Sequence, residues 1–87
     1  MRELLFMPIA LTDLGWWIKN DLKTVRKIYQ LLENTCKSPF EGIGQPEPLK
    51  ANFSGYWSRR ITQEHRLVYK VEADKIIIHS LYCHYSK

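Results

Sequence analysis

Arg60 and Arg66 lie in two consecutive runs of extended character, Tyr56–Ile61 and Arg66–Val71, joined by the four residues 62–65. Successive side chains of a strand alternate between its faces. Tyr56, Ser58 and Arg60 therefore share one face, and Trp57, Arg59 and Ile61 take the other. In the second run Arg66, Val68 and Lys70 oppose Leu67, Tyr69 and Val71. The apolar set Leu67, Tyr69 and Val71 belongs against a core, which leaves Arg66 on the free face, where Arg60 can join it. Two guanidinium groups from adjacent strands make a phosphate site, although either alone is also what a solvent-facing strand carries. Glu47 stands between Pro46 and Pro48, whose fixed φ angles stiffen the loop and hold the carboxylate outward. A loop carboxylate is commonly just solvated. Beside Lys50 and the arginine pair it can serve as a general base, because neighbouring cations favour its ionised form.

Three histidines compete for the role of proton donor. His65 falls in the turn between the two runs and is expected to be exposed. His79, inside the apolar run from Ile76 to Leu81, reads as a core or sheet-face histidine. His84 lies past that run, next to Tyr85, where an acid or base is accessible; a histidine near a chain end also occurs by chance. The sequence has no GxSxG, HExxH or P-loop pattern, and Ser54 and Ser58 have no identifiable triad partners.

These residues sit in an unusual stretch. From Lys50 to Lys70 there are five basic residues (Lys50, Arg59, Arg60, Arg66, Lys70) and a single acid, Glu64, while the charges of all the other residues cancel. The formal net charge of +4 thus resides in about a quarter of the chain. Phe53, Tyr56, Trp57 and Tyr69 are interleaved with the cations. Cations for phosphates and flat rings for bases are what a single-stranded nucleic acid requires. A solvated strand surface has a similar composition, so charge alone speaks to partners and not to fold.

The elements that must position these groups are legible from periodicity. Arg2–Met7 reads as a first strand. Pro8 suits the first turn of a helix, and Leu11, Leu14, Trp17 and Ile18 recur at three- and four-residue spacing through Asn20, predicting one buried face. Gly15 interrupts this helix at a cost of about 1 kcal/mol against alanine, for which close packing is the only reason at hand. Asn20 or Asp21 breaks the helix and caps a second one. In that helix Leu22, Val25, Ile28, Tyr29, Leu32 and Cys36 share a face, Lys23, Lys27 and Gln30 point away, and Asn34–Pro39 ends it. A joint this short predicts a helical hairpin. Phe40–Pro48 has two glycines and two prolines in nine residues and reads as a loop. Strands follow at Tyr56–Ile61, Arg66–Val71 and Lys75–Tyr82, with a further short one near Leu49, and their short connections favour antiparallel pairing. The fold class is therefore α+β: an N-terminal strand, a two-helix hairpin, then a mainly antiparallel sheet with the helices on one face.

Eighty-seven residues, 45% of them hydrophobic, give one domain, expected to span residues 1–87. Met1-Arg2-Glu3 leads into a short apolar run unlike a secretory leader, and no run approaches the ~20 apolar residues of a membrane span. Cys36 and Cys83 lack metal-binding spacing and read as free thiols. A basic, cytoplasmic domain without membrane association is the expectation.

Four runs carry a resemblance: Ser38-Pro39-Phe40-Glu41-Gly42, Pro46-Glu47-Pro48-Leu49-Lys50, Ser54-Gly55-Tyr56-Trp57-Ser58-Arg59-Arg60-Ile61-Thr62 and Glu64-His65-Arg66-Leu67-Val68-Tyr69, with His84-Tyr85 near the end. Together they closely resemble the YoeB (Txe) family, toxins of bacterial type II toxin–antitoxin systems within the RelE-like superfamily. The likeness covers almost the whole chain. It implies a ribosome-dependent mRNA endonuclease that needs no metal or other cofactor and acts on mRNA in the ribosomal A site. It also implies inhibition by a YefM-type antitoxin whose C-terminal segment covers the active site, and contact with operator DNA only through the antitoxin complex. Homodimer formation is left open. By the same resemblance Glu47 is the general base, His84 the general acid and Arg66 the transition-state arginine. Lys50 and Arg60 hold phosphates, and Tyr85 helps to set the substrate. The chain departs from the pattern in running on through Ser86 and Lys87, and in having Gln63 where an acid is common. Neighbouring His84 and Tyr85 would point to opposite faces of a regular strand, so a bend is expected there.

A second reading, from a different class, is a module that blocks translation by occupying RNA or the ribosome without cutting. A third, compatible with the first, is a repressor of its own operon together with the antitoxin. A binder needs the cations but neither Glu47 nor His84.

Overall fold

The computed structural model describes residues 1–82. The first strand, β1 (Glu3–Phe6), leads through Met7 into α1 (Pro8–Asn20), with Pro8 in the first turn as its missing N–H permits. Of the two cap candidates the chain uses Asp21, whose carboxylate accepts from the Thr24 N–H (3.2 Å) and the Thr24 hydroxyl (2.7 Å) to start α2 (Leu22–Lys37). The sheet strands then follow as β2 (Glu47–Pro48), β3 (Tyr56–Arg60), β4 (Arg66–Val71) and β5 (Lys75–Ser80), with a 3-10 turn at Ala51–Phe53. The five strands lie in the order β1-β5-β4-β3-β2. β1 runs parallel to β5 and every other pair is antiparallel. The α+β class and the helix-covered sheet are as the sequence predicted.

Leu67, Tyr69, Ile76, Ile78 and Leu81 from the sheet side meet Ala10, Trp17, Ile28, Leu31 and Leu32 from the helices in one core, with Val71 packed against it. The strand face assigned to the core from alternation is therefore the buried one. The helix faces differ from expectation. In α1 the inner face is Ala10, Leu14 and Trp17, whereas Leu11 and Ile18 are more than half exposed. In α2 Ile28, Leu31, Leu32, Thr35 and Cys36 are buried, and Leu22 and Tyr29 point outward. Both helices carry apolar residues on both sides, so spacing placed Leu14, Trp17, Val25, Ile28, Leu32 and Cys36 correctly but also took in exposed neighbours. Burial pushes the Cys36 thiol pKa up, as expected of an inert core thiol; Cys83 lies outside the described residues.

Other boundaries also move. α2 ends at Lys37, inside the expected Asn34–Pro39 stop, whereas β5 ends at Ser80 rather than Tyr82. The loop expected through Pro48 ends early, because Glu47 and Pro48 pair with β3 as an edge strand, a position that tolerates proline. In β5 Ile78 pairs with Tyr69 and Ser80 with Val68, so His79 is an extra residue and the strand bulges there.

Arg59 was counted above among the available cations, but it is fully buried on the helix side. Its Nη1 donates to Asn34 Oδ1 and to the Ile43 carbonyl (3.1 Å). Its Nη2 donates to the carbonyls of Ser38 and Glu41 (3.0 Å). Its Nε donates to the Tyr69 hydroxyl (3.1 Å), which in turn donates to the Pro39 carbonyl (2.7 Å). Burial drives the Tyr69 pKa up, opposed by the hydrogen bond and charge of Arg59, so the phenol stays a donor. The segment between α2 and β2 is thus wrapped around one guanidinium group.

Gly15 has no atom within 4 Å of where a Cβ would stand, so close packing does not explain it. Gly15→Ala should raise stability by about 0.5–1 kcal/mol, read as a higher urea midpoint at unchanged slope. Arg59→Met should cost about 3–5 kcal/mol by stranding several buried acceptors. Arg59→Lys should not restore stability, since one ammonium cannot reproduce the guanidinium fork. Thermal melts of both variants within a few degrees of wild type would contradict this role.

Candidate active site

Antiparallel pairing of β2 with β3 sets Glu47 opposite Ser58, and pairing of β3 with β4 sets Ser58 opposite Val68 and Arg60 opposite Arg66. Directly paired residues share a face, so Glu47, Ser58, Arg60 and Arg66 all stand on the side of the sheet away from the helices. Arg66 Nη1 lies 3.3 Å from Glu47 Oε2 and 3.4 Å from Ser58 Oγ. The Glu47 side chain is 59% exposed and that of Arg66 20%. A long, solvent-touched ion pair of this kind is worth at most about 1 kcal/mol. It is therefore exchangeable: an entering phosphate can take the guanidinium, with its fork geometry, away from the carboxylate. Arg66 Nε is buried and has no hydrogen-bond partner among the described residues.

Arg60 is exposed and lines an open depression of about 480 Å³ together with Lys27, Gly44, Gln45, Ile61, Thr62 and Gln63. Lys27, which spacing on its helix placed away from the core, thus extends the cationic surface beyond Arg60. No sequence signal links a residue of α2 to one of β3 more than thirty positions later. Lys50 is exposed at the entrance to the 3-10 turn, three residues past Glu47, and has no ion pair among the described residues. The expected set of Glu47, Arg60 and Arg66 is brought together, with Lys50 at its margin. His84 and Tyr85 lie outside the described residues.

The same sheet face carries an aromatic group that was visible in the sequence only as composition. The rings of Phe53, Tyr56 and His79 meet edge to face with centroids 5.6–5.8 Å apart, and Lys70 Nζ lies 5.7 Å from the Tyr56 ring centroid. His79 is thus a sheet-face histidine, its Nδ1 3.2 Å from Ser80 Oγ. His65, in contrast, is not the exposed turn residue expected. Its ring packs against Trp17 (5.2 Å) and Tyr82 (4.5 Å), and its Nδ1 is buried without a partner among the described residues. The Thr62 hydroxyl, which accepts from the backbone N–H of Glu64 and His65, tightens the turn and tucks the ring inward.

A carboxylate, a guanidinium it can release and further cations on an open sheet suit acid–base work on a phosphodiester. Comparison with known proteins gives this arrangement a lineage. The family model described as YoeB-like toxin of bacterial type II toxin-antitoxin system matches residues 6–85. The chain belongs to the YoeB toxin family. Toxin YoeB of Escherichia coli K12 is 47% identical over 83 residues, covering 95% of this chain and 99% of that protein. Among solved structures, a YoeB/ParE toxin from Agrobacterium tumefaciens superposes with a TM-score of 0.92 at 40% identity, covering 95% of this chain and 99% of that one. A YoeB–YefM complex from Staphylococcus aureus contains a chain 44% identical with a TM-score of 0.87, covering 98% of this chain and 99% of that one. The YoeB resemblance read from the sequence motifs is thus correct, and with it the role of toxin in a toxin–antitoxin pair.

If the Glu47–Arg66 pair is held for exchange and not for folding, Glu47→Gln should shift the free energy of unfolding by less than about 1 kcal/mol. Urea denaturation at neutral pH measures this. A loss of 3 kcal/mol or more would assign the pair to the architecture.

Proposed function

We propose that this YoeB-family chain, acting as one RelE-like toxin domain over residues 1–87, is a ribosome-dependent mRNA endonuclease that needs no metal ion. The observation that carries the reading is the Glu47 carboxylate 3.3 Å from the Arg66 guanidinium on the open face of the sheet. RNA supplies its own nucleophile, the 2′-OH beside the scissile phosphate. Glu47 removes that proton as O2′ bonds to phosphorus. The P–O5′ bond breaks as His84, in its imidazolium form, protonates the departing oxygen. Arg66 moves from Glu47 to the phosphate and, with Lys50 and Arg60, balances the charge that builds on the phosphorane. Tyr85 helps to set the substrate. The products carry a 2′,3′-cyclic phosphate and a 5′-hydroxyl, and no bond in this scheme calls for a Lewis acid.

A protein of 87 residues offers little surface to hold RNA, and what it offers is cationic, so binding to naked RNA is weak and salt-sensitive. The ribosome supplies the missing contacts and presents mRNA of the A site in a reactive geometry. A YefM-type antitoxin is the proposed inhibitor in the cytoplasm, in line with the Staphylococcus aureus YoeB–YefM complex; operator DNA is bound only through that complex, which represses its own operon. The cluster of Phe53, Tyr56 and Lys70 favours a second reading, a translation inhibitor that binds RNA or the ribosome without cutting, since a binder needs rings and cations alone.

Glu47→Gln and His84→Gln separate the two readings, because neither removes a lysine or arginine that holds phosphate. Each should lower the rate of ribosome-bound mRNA cleavage by about 10²–10⁴-fold while ribosome binding stays within a few-fold of wild type. Arg66→Ala should weaken both. A single 2′-deoxy nucleotide at the cut position should abolish cleavage there. Folded Gln variants that cut at the wild-type rate would remove the acid–base pair from the mechanism and favour the binder.

A further inference from the structure

The depression beside Arg60 is built from three separate segments. Lys27 comes from α2, Gly44 and Gln45 from the loop before β2, and Arg60 to Gln63 from the end of β3 and the turn after it. The Arg60 N–H donates to the Gly44 carbonyl (2.7 Å), so two of these walls are joined through the backbone. Gln45 stands at φ +53°, directly after Gly44 at +81°. A residue with a long side chain seldom takes that left-handed conformation, and such positions cluster where a chain is held for a ligand. Lys27 is half-buried and Arg60 exposed, yet neither has an ion pair among the described residues. The side chains of Gln45 and Gln63 are likewise without a hydrogen bond there. The Thr62 hydroxyl accepts from two backbone N–H groups and keeps its own proton to donate. Among the described residues no acid lines the depression.

Two cations, two primary amides and a hydroxyl, with no carboxylate beside them, suit an anion rich in acceptor oxygens. A volume of about 480 Å³ falls in the range of small-molecule clefts and admits a group the size of a nucleotide. The location says which phosphate. Glu47 pairs with Ser58, to which Arg66 Nη1 also reaches, and Arg60 follows Ser58 by two residues on the same face of β3. That separation is roughly 7 Å along the strand. An RNA chain seated with its scissile phosphate at Arg66 therefore brings a neighbouring phosphate to Arg60, with Lys27 across the depression. Resting on the endonuclease reading above, we propose that this depression is a second phosphate subsite: Lys27 and Arg60 hold the mRNA phosphate adjacent to the scissile one, and the amides of Gln45 and Gln63 border its sugar and base. Lys27 is thereby a substrate-binding residue supplied by the helical layer.

The test uses the full chain and RNAs in which each phosphate flanking the mapped cut is replaced in turn by an uncharged methylphosphonate, with matched 2′-deoxy controls. They are presented on programmed ribosomes and as short naked oligomers. Neutralising one adjacent phosphate should raise the wild-type KM by about 3–10-fold, and Lys27→Met should do the same on ordinary mRNA at little changed kcat. The two effects should not add. Lys27→Met should ignore the methylphosphonate at that position and still respond to those elsewhere. Methionine keeps the apolar stem that lysine lays on the surface, so the fold is preserved, and Lys27→Arg, which keeps the charge, should stay close to wild type. On naked oligomers the slope of log affinity against log salt should fall by about 0.7 in Lys27→Met. Additive effects at every position would overturn the inference. Weaker ribosome binding without such coupling would give Lys27 to ribosomal RNA, and unchanged binding would leave the depression without an RNA ligand. A wild-type protein that binds these RNAs but cuts none refutes the endonuclease reading, and the same coupling measured in Kd then decides the subsite. Cleavage that proceeds with no coupling leaves the mechanism standing and removes the subsite alone.

Discussion

The burial of a guanidinium group without a carboxylate partner is the constraint on which much of this molecule depends. Arg59 has no accessible surface, and no acid faces it among the described residues. Taking a cation out of water costs several kcal/mol unless its donors are all met. Here backbone carbonyls from the end of α2 and the loop after it, with Asn34 Oδ1 and the Tyr69 hydroxyl, meet them. Those carbonyls lie at the negative end of the helix dipole, which adds a favourable field. The loop must come very close to supply them, and two glycines make that approach feasible. A Cβ at Gly42 would fall 2.0 Å from Asn34 Oδ1, and one at Gly44 would fall 2.6 Å from Leu31 Cδ2. Both have positive φ, +118° and +81°, which side-chain-bearing residues seldom adopt. Two residues after Gly44 begins the Pro46-Glu47-Pro48 segment, so the geometry around Arg59 decides where the candidate base stands.

Arg59 and Arg66 are cations of opposite use. One is locked by permanent hydrogen bonds on the covered face of the sheet, and the other holds Glu47 by a long, partly solvated contact on the open face. The difference follows from strand parity: position 59 shares the covered face with Trp57 and Ile61, while position 66 stands across from Arg60. Net charge does not distinguish them. A reading based on the charge of residues 50–70 counts a structural arginine as part of the ligand surface, and overlooks Lys27, which reaches the same surface from α2.

What was legible in the sequence follows the same physical line. Period-two alternation over five or six residues fixed the faces of β3 and β4, because one face is buried and a slip would expose Leu67 and Tyr69. The motif likeness to the YoeB family reached further and located the catalytic candidates. Edge strand β2 was legible only as a short strand near Leu49, without its bounds, since Glu47 set between two prolines has no period to read. The helix stripes were read only in part, for a different reason. In α1 the inward face includes Ala10 and the polar Asp13 beside Trp17, while Leu11 and Ile18 lie outside, so hydrophobicity and burial part company. The inward turn of His65 depends on Tyr82 and Trp17, neighbours that no local pattern connects.

Two segments at the margin of the sheet, the approach to Glu47 and the exit from β5, are tied to the helical layer as well as to the strands. The approach to Glu47 is tied to α2 through Asn34, which accepts from Arg59 and from the Ile43 N–H (3.1 Å). The departure from β5 is tied to α1 through Asp13 and Trp17. In each case a polar side chain of a helix takes up backbone or arginine donors that the sheet ladder cannot satisfy at its margin. A small sheet has rigid interior strands and pliant ends, and reactive groups placed at the ends gain exposure but lose precision. Side-chain ties from a packed helical layer restore that precision while leaving the open face free for a ligand. This explains how so short a chain can keep a carboxylate on a two-residue edge strand and still hold it 3.3 Å from a guanidinium two strands away.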